Sequence, residues 1–228
     1  MDNLKRCENC GFRSPIFRFL DPDDLKRIND KRYEVLFEPG ENIFKQGTPC
    51  THVASFADGL AKMYVEGTNK KNLIIRLIQP QEFISGVGLF VNSKHHYSVS
   101  ALTKSSVCFI DSNVFIEILR KNATFSEAYL RLTQEAMVQS LEKLVHINQK
   151  NQQARVAEAL LYLSEEIHKK NSFNMIISKT ELADMAGISR ESNTKIIKEM
   201  CREEIISLSG KVININNPNR LRQIRDRG

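Results

Sequence analysis

The sequence predicts an α+β chain: an all-β first half, one long helix, and a C-terminal module of short helices closed by a β-hairpin. Three observations carry this. Between about Tyr33 and Ile110, short apolar runs alternate with turn residues at barrel or sandwich spacing. From Thr124 to about Lys150 neither Gly nor Pro interrupts a helical pattern. Beyond it, two short helical patterns flank Gly187, and two apolar runs flank Ser209-Gly210-Lys211. A chain of 228 residues makes one or two domains, and the pattern divides it at 1–118, 119–150 and 151–228.

The strand candidates are Val35-Leu36-Phe37, Ile43-Phe44, Val53 to Phe56, Ala61 to Val65, Leu73 to Ile78, Val99 to Leu102 and Val107 to Ile110. Pro39-Gly40, Gln46-Gly47, Asp58-Gly59 and Gly67 separate them, residues suited to tight or left-handed turns. From Ser112 the period becomes helical. In the long helix Leu130, Met137 and Leu144 recur every seven residues, with Leu141 filling the seam. Such a stripe packs either on a second helix about a two-fold axis or on the chain's own barrel. A polar stretch, Asn148 to Gln153, reads as a hinge before a helix from about Ala154 to Lys169.

Ser178-Lys179-Thr180-Glu181 has the form of a capping box, and Leu182, Ala183, Met185 and Ala186 give the helix after it an apolar face. Gly187 ends that helix, Ile188 plugs the core, and Ser189 caps a second helix beginning at Arg190. At about 100° per residue, Arg190, Glu191, Thr194 and Lys195 share one face, with Ile196 and Met200 opposite. That polar face holds base-reading chemistry: Arg forks onto guanine, a carboxylate accepts from cytosine, and Thr touches a thymine methyl. The Glu191–Lys195 spacing also permits an intrahelical ion pair, the reading in which the face is merely solvated. The hairpin Ile205 to Ile215 completes a winged helix with Lys211 at its tip, placed for phosphate. Asn217-Pro218 then opens a basic helix through Arg220, Arg222, Arg225 and Arg227.

Composition removes other classes. Hydrophobic residues at 41% and charged residues at 26% exclude disorder throughout, and 10 Gly with 6 Pro exclude a collagen-like chain. No apolar run approaches the ~18–20 residues of a membrane span, and no apolar stretch follows the N-terminus. A soluble, cytoplasmic protein without a membrane partner is the expectation. Five cysteines, an odd and scattered set, do not make a disulfide framework. Lys and Arg number 33 against 27 Asp and Glu, a net charge of +6 that permits a polyanionic partner. From Ser189 onward nine basic residues face five acidic ones, so the excess is partly local. No Walker loop, H-E-x-x-H or G-x-S-x-G occurs, and an enzyme is not expected.

In this order of parts, and in Ile188-Ser189-Arg190-Glu191-Ser192 followed by Lys195, the chain resembles the Crp/Fnr family of bacterial transcription regulators. The resemblance implies a cyclic-nucleotide-binding-like β jelly roll, a long dimerisation helix and a C-terminal winged helix-turn-helix. It also implies a homodimer on palindromic double-stranded DNA, working with RNA polymerase and switched by a small-molecule or redox signal. The DNA-binding set is then Ser178, Lys179, Ser189, Arg190, Glu191, Thr194, Lys195 and Lys211, and the dimer interface Leu130, Met137, Leu141 and Leu144. Asn193 departs from the family pattern, standing where an apolar side chain usually packs inward. The alternative reading is a sensor or scaffold whose winged helix binds a protein partner.

For the signal, Phe83-Ile84-Ser85-Gly86-Val87-Gly88-Leu89-Phe90 matches the frame of the family's nucleotide cassette. Gly86 stands at its Glu position, and His96 and Tyr97 stand where Arg and a hydroxyl residue belong. Without a guanidinium clamp a phosphodiester loses its bidentate pair, a reading against cyclic AMP. The oxygen-sensing branch holds an iron–sulfur cluster on four thiolates. Cys7, Cys10 and Cys108 resemble three of these, the remaining position falls near Ile16, and Cys50 is a substitute only if the fold brings it close. Zinc on three thiolates and one His is a variant, and haem on His52, His95 or His96 another. Cys108 as plain barrel core, with no cofactor, is the competing reading, and the cofactor stays unknown.

Overall fold

The computed structural model describes residues 7, 10–68 and 71–228. The chain divides into two compact units, one spanning 1–66 and 76–138, the other 67–75 and 139–228. In the first, a 3-10 turn (Pro15–Phe19) and helix α1 (Pro22–Asp30) precede eight strands. These are β1 (Arg32–Phe37), β2 (Asn42–Phe44), β3 (His52–Asp58), β4 (Ala61–Glu66), β5 (Asn72–Ile78), β6 (Phe83–Ile84), β7 (Ser98–Ala101) and β8 (Ser105–Asp111). They form two four-stranded sheets, in the orders β1-β8-β3-β6 and β2-β7-β4-β5. Phe44, Phe56, Ile78, Val99, Val107 and Phe109, drawn from both sheets, make the core of this sandwich.

Alternation along β3 and β8 builds a second layer. Phe109 pairs with Ala54 in the core, while the next pair, Ile110 with Val53, points to the other face. There Ile28 of α1, Phe115 and Ile118 of α2 (Ser112–Lys121), and Phe125 and Tyr129 of α3 (Ala123–Gln149) cover them. The expected strands are all present. β6 was not foreseen, because two residues are too short to show a period. Residue 118, the sequence-based domain boundary, lies inside α2, whose N-cap Asp111 accepts from the amides of Asn113 and Val114.

Helix α3 matches the expected long helix to within a residue at each end. Its stripe is uncovered: Leu130, Met137, Leu141 and Leu144 are 58%, 55%, 50% and 61% exposed. Packing on the chain's own barrel, one of the two readings left open above, is therefore not what this stripe does.

In the second unit follow α4 (Gln152–Tyr162), a π-helical turn (Leu163–His168), β9 (Ser172–Asn174), α5 (Lys179–Ala186), α6 (Arg190–Arg202), β10 (Ile206–Ser209), β11 (Val212–Ile215) and α7 (Pro218–Arg227). The hinge is shorter than its polar sequence suggests. Asn151 already caps α4, its Oδ1 accepting from the Ala154 amide at 2.9 Å. The helix expected to reach Lys169 is α4 plus the wider π turn, stopped by Lys169 itself at φ +52°. The wing gains a third strand that the sequence did not reveal, β9 pairing with β11. Leu221 anchors α7, where Arg222 pairs with Glu165 at 2.7 Å and Arg225 with Asp226. Part of this helix's basic charge is thus neutralised locally.

Gly59, at φ +92° between β3 and β4, has no room for a side chain: a Cβ there would lie 2.5 Å from the Lys104 carbonyl oxygen. At Gly40, φ +93°, the same Cβ meets open space. Gly40→Ala is expected to cost only the backbone strain, about 1–3 kcal/mol. Gly59→Ala should cost measurably more, both read as shifts of the denaturant midpoint at unchanged slope.

Candidate nucleic-acid interface

The reading surface is assembled by caps at three helix ends. Ser178 Oγ accepts from the Glu181 amide at 3.2 Å while Glu181 Oε2 accepts from the Ser178 amide at 2.7 Å, a complete capping box on α5. Gly187 closes α5 at φ +62°, and the Ile188 amide donates to the Ala183 carbonyl at 3.0 Å. Ile188 is half-buried beneath this turn. Ser189 then caps α6, its Oγ accepting from the Ser192 amide at 3.1 Å.

Burial decides the orientation of α6. Ile196, Ile197 and Met200 are buried, as is Asn193, so Arg190, Glu191 and Lys195 must project outward, and all three are exposed. Thr194 is half-buried and its Oγ1 donates back to the Arg190 carbonyl at 2.9 Å, leaving its methyl as the group free for a partner. The pair permitted by the Glu191–Lys195 spacing does not form among the described residues. Its own backbone N–H and the Ser189 hydroxyl, with Arg190 nearby, hold the Glu191 carboxyl below its ordinary value. It is therefore an ionised acceptor. Ser178, Lys179 and Ser189 are exposed at the helix starts, and Lys211 is exposed beside Gly210 (φ +61°) at the wing tip. The structure thus brings every residue of the expected set to the surface of the second unit.

Asn193 is the departure that matters. It is fully buried, and its Nδ2 donates to the Lys179 carbonyl at 2.9 Å, tying α6 to the first residue of α5. Sequence reasoning saw a misfit here; the side chain is a tether. The tether is incomplete, because Asn193 Oδ1 meets no donor among the described residues.

In the barrel, the cassette positions are occupied by the protein's own contacts. A Cβ on Gly86 would lie 2.5 Å from Cys50 Sγ and 3.1 Å from His95 Nδ1, so the glycine serves close packing, with no positive φ to explain it. Tyr97, buried, donates to the Ser85 carbonyl at 2.6 Å; Ser85 Oγ lies 2.8 Å from the Tyr129 hydroxyl of α3. Burial pushes both phenols above their ordinary value and keeps them neutral. His96 faces outward to Asn92 Oδ1 at 3.1 Å, and His95 faces inward, stacked on Phe44. Adjacent histidines on opposite faces do not share one ligand. His95 and His52 do line one aromatic cavity of about 420 Å³ with Tyr33, Phe44 and Phe109.

The thiols do not make a cluster site. Arg32 Nη1 donates to Cys108 Sγ at 3.6 Å, and the same guanidinium bonds Cys7. Burial nevertheless prevails: the Cys108 thiol is pushed up to about 11, and that of Cys7 is raised with Arg32 opposing. Ile16, near the missing fourth position, is buried apolar core, and Cys50 packs on Gly86. Among the described residues no group of three or more His, Cys, Asp or Glu is arranged to hold a metal ion. With Cys7 and Cys108 both bonded to the Arg32 guanidinium and an apolar Ile16 near the remaining position, the residues present do not supply a four-thiolate set.

A winged helix-turn-helix with an exposed polar face on its second helix, carried on a chain that begins with a cyclic-nucleotide-type barrel, defines a class: DNA-binding transcription regulators. The cyclic nucleotide-binding domain family matches residues 34–122, and the Crp-like helix-turn-helix domain family matches residues 154–224. The transcriptional activator protein FnrL of Cereibacter sphaeroides is 21% identical over 91% of this chain and 86% of its own. The HTH-type transcriptional regulator Cmr of Mycobacterium tuberculosis is 24% identical over 96% and 85%. A solved Crp/Fnr-family regulator from Eubacterium rectale superposes with a TM-score of 0.82 at 18% identity, covering 93% of this chain and 98% of that one. The chain belongs to the Crp/Fnr family, whose members are transcription regulators and not enzymes.

Asn193→Val removes the unmet Oδ1 and is expected to leave stability unchanged or raise it by up to ~1 kcal/mol. Asn193→Asp places a carboxylate against the Lys179 carbonyl and should destabilise by more than about 2 kcal/mol. Chemical denaturation of the two variants checks both.

Proposed function

We propose that this protein is a sequence-specific regulator that binds palindromic double-stranded DNA as a homodimer and acts on transcription with RNA polymerase in the cytoplasm. One observation carries the reading: on α6 the buried side consumes every apolar residue and leaves Arg190, Glu191 and Lys195 as an exposed set able to meet base edges. Ser178, Lys179, Ser189 and Lys211, with Thr194 beside them, supply the phosphate contacts and packing around it. Support for the homodimer comes from the uncovered stripe of Leu130, Met137, Leu141 and Leu144, whose seven-residue spacing suits a second copy of α3. The barrel receives a signal other than a cyclic nucleotide, in keeping with the space at Gly86 being filled from within and Tyr97 already bonded.

DNA of random sequence distinguishes this reading from a winged helix that binds protein. Affinity should fall ~10³–10⁵-fold between 50 and 200 mM salt, and a salt-insensitive interaction would favour the protein partner. In a random-site selection, Arg190→Ala should relax preference at one position per half-site, by ~1–3 kcal/mol. Unchanged selectivity removes Arg190 from the reading face.

Met137→Glu places a charge in the stripe. Monomers in sedimentation and loss of paired-half-site binding are expected; a dimer at wild-type concentrations would mean that α3 does not form the interface.

A further inference from the structure

The end of α5 is gripped from two other helices. Lys143, near the end of α3, donates from Nζ to the Met185 carbonyl at 2.7 Å. Met185 is in the last turn of α5, where carbonyls lack intrahelical donors and the helix dipole is negative. One residue past the helix, the Gly187 carbonyl accepts from Arg155 Nη1 of α4 at 3.2 Å. Two cations therefore meet the turn that launches α6. Burial pushes the Lys143 ammonium below its ordinary value while Glu158 opposes it. Glu158 in turn pairs with His146 at 2.6 Å and Lys150 at 3.2 Å, locking the same face of α3 to α4.

That face is distinct from the apolar stripe. At about 100° per residue, Lys143, His146, Ile147 and Lys150 cluster on one side of α3. Leu130, Met137, Leu141 and Leu144 cluster about 140° away. One helix thus presents an uncovered apolar side and, opposite it, the contacts that hold the helix-turn-helix. The half-buried Lys143 ammonium joins this side of α3 to the carbonyl end of α5.

We propose that Lys143 is a positioning residue for DNA recognition: by holding the α5–α6 turn to the long helix, it fixes the separation of half-sites that a pair of protomers accepts. This rests on the reading of a dimer that binds paired half-sites. Lys143 touches no DNA, so its removal leaves base preference within a half-site and the salt dependence of binding as they are. It should alter spacing alone.

The test is a selection from a library in which two fixed half-sites, taken from the wild-type selection, are separated by spacers of varied length. Wild type should choose one spacing. Lys143→Met, which keeps the chain length and loses the donor, should accept several spacings and bind the wild-type optimum ~10-fold more weakly. Lys143→Arg, which retains a cationic donor, should restore most of the discrimination. A Lys143→Met protein that keeps the single spacing and wild-type affinity overturns the proposal. If Lys143→Met fails to fold, judged by its thermal transition, Lys143→Gln is put through the same selection under the same criterion. Wild-type protein that selects no paired half-sites refutes the underlying dimer reading instead, so the two failures are told apart.

Discussion

Everything in the second unit depends on which side of α6 is buried. Ile196, Ile197 and Met200 remove one side of this helix from water, each worth roughly 1.5–3 kcal/mol as a buried apolar side chain. That is more than any exposed polar contact can offset. Rolling the helix to bury Arg190 or Lys195 would expose these residues and desolvate a charge. The exposed face of α6 is therefore dictated by the core beneath it, and the caps at Ser178, Gly187 and Ser189 only set where along the chain it begins. Asn193 shows how strict the constraint is. A polar residue at an inward position stays inward, fully buried, and finds one bond to the Lys179 carbonyl rather than turning the helix.

The barrel keeps its family's frame while using the space differently. With a glycine at position 86, Cys50 Sγ and His95 can approach the backbone to distances that no side chain would permit. Tyr97 is large enough to reach the Ser85 carbonyl from the position where the family frame carries a small hydroxyl residue. A carboxylate at 86 would collide with Cys50, and His96, at the frame's Arg position, faces outward to Asn92. The cassette has changed as a unit, from groups that face a ligand to groups that face one another.

The fold was legible where period and punctuation coincide. Seven strands, the long helix, the capping box at Ser178, the turn at Gly187 and the hairpin around Gly210 are local signals, each set by residues within one turn or one alternation. What escaped was non-local or too short. Strand β6 has two residues, and β9 is recognisable only through its partner β11. Asn193 looked like a defect because its acceptor lies 14 positions away. The role of Lys143 was invisible for the same reason, its acceptor being 42 positions downstream. Among the cysteines, nothing in C-x2-C announces that Arg32 will bond both Cys7 and Cys108. In the candidate interface, exposure followed from helical geometry, but the Thr194 hydroxyl turned back to the backbone, a choice that spacing cannot foretell.

A signal reaching this barrel has to work against contacts already made. A ligand shifts an equilibrium only by its differential affinity for two states. Around the cassette the hydroxyls of Tyr97 and Tyr129 and both oxygens of Ser85 are satisfied, in a chain that runs from the strand side to α3. Displacing it leaves buried groups unpaired at ~1–3 kcal/mol each unless the incoming group replaces the bonds. An apolar ligand cannot do that, and a charged one would meet neutral phenols and a thiol, with the Arg76 guanidinium that acts on Tyr97 already paired with Glu82. A group that exchanges with this chain at small net cost must both donate and accept hydrogen bonds. The chain of bonds ends on the Tyr129 hydroxyl of α3, so such an exchange is felt within the same packed layer as Phe115 and Phe125.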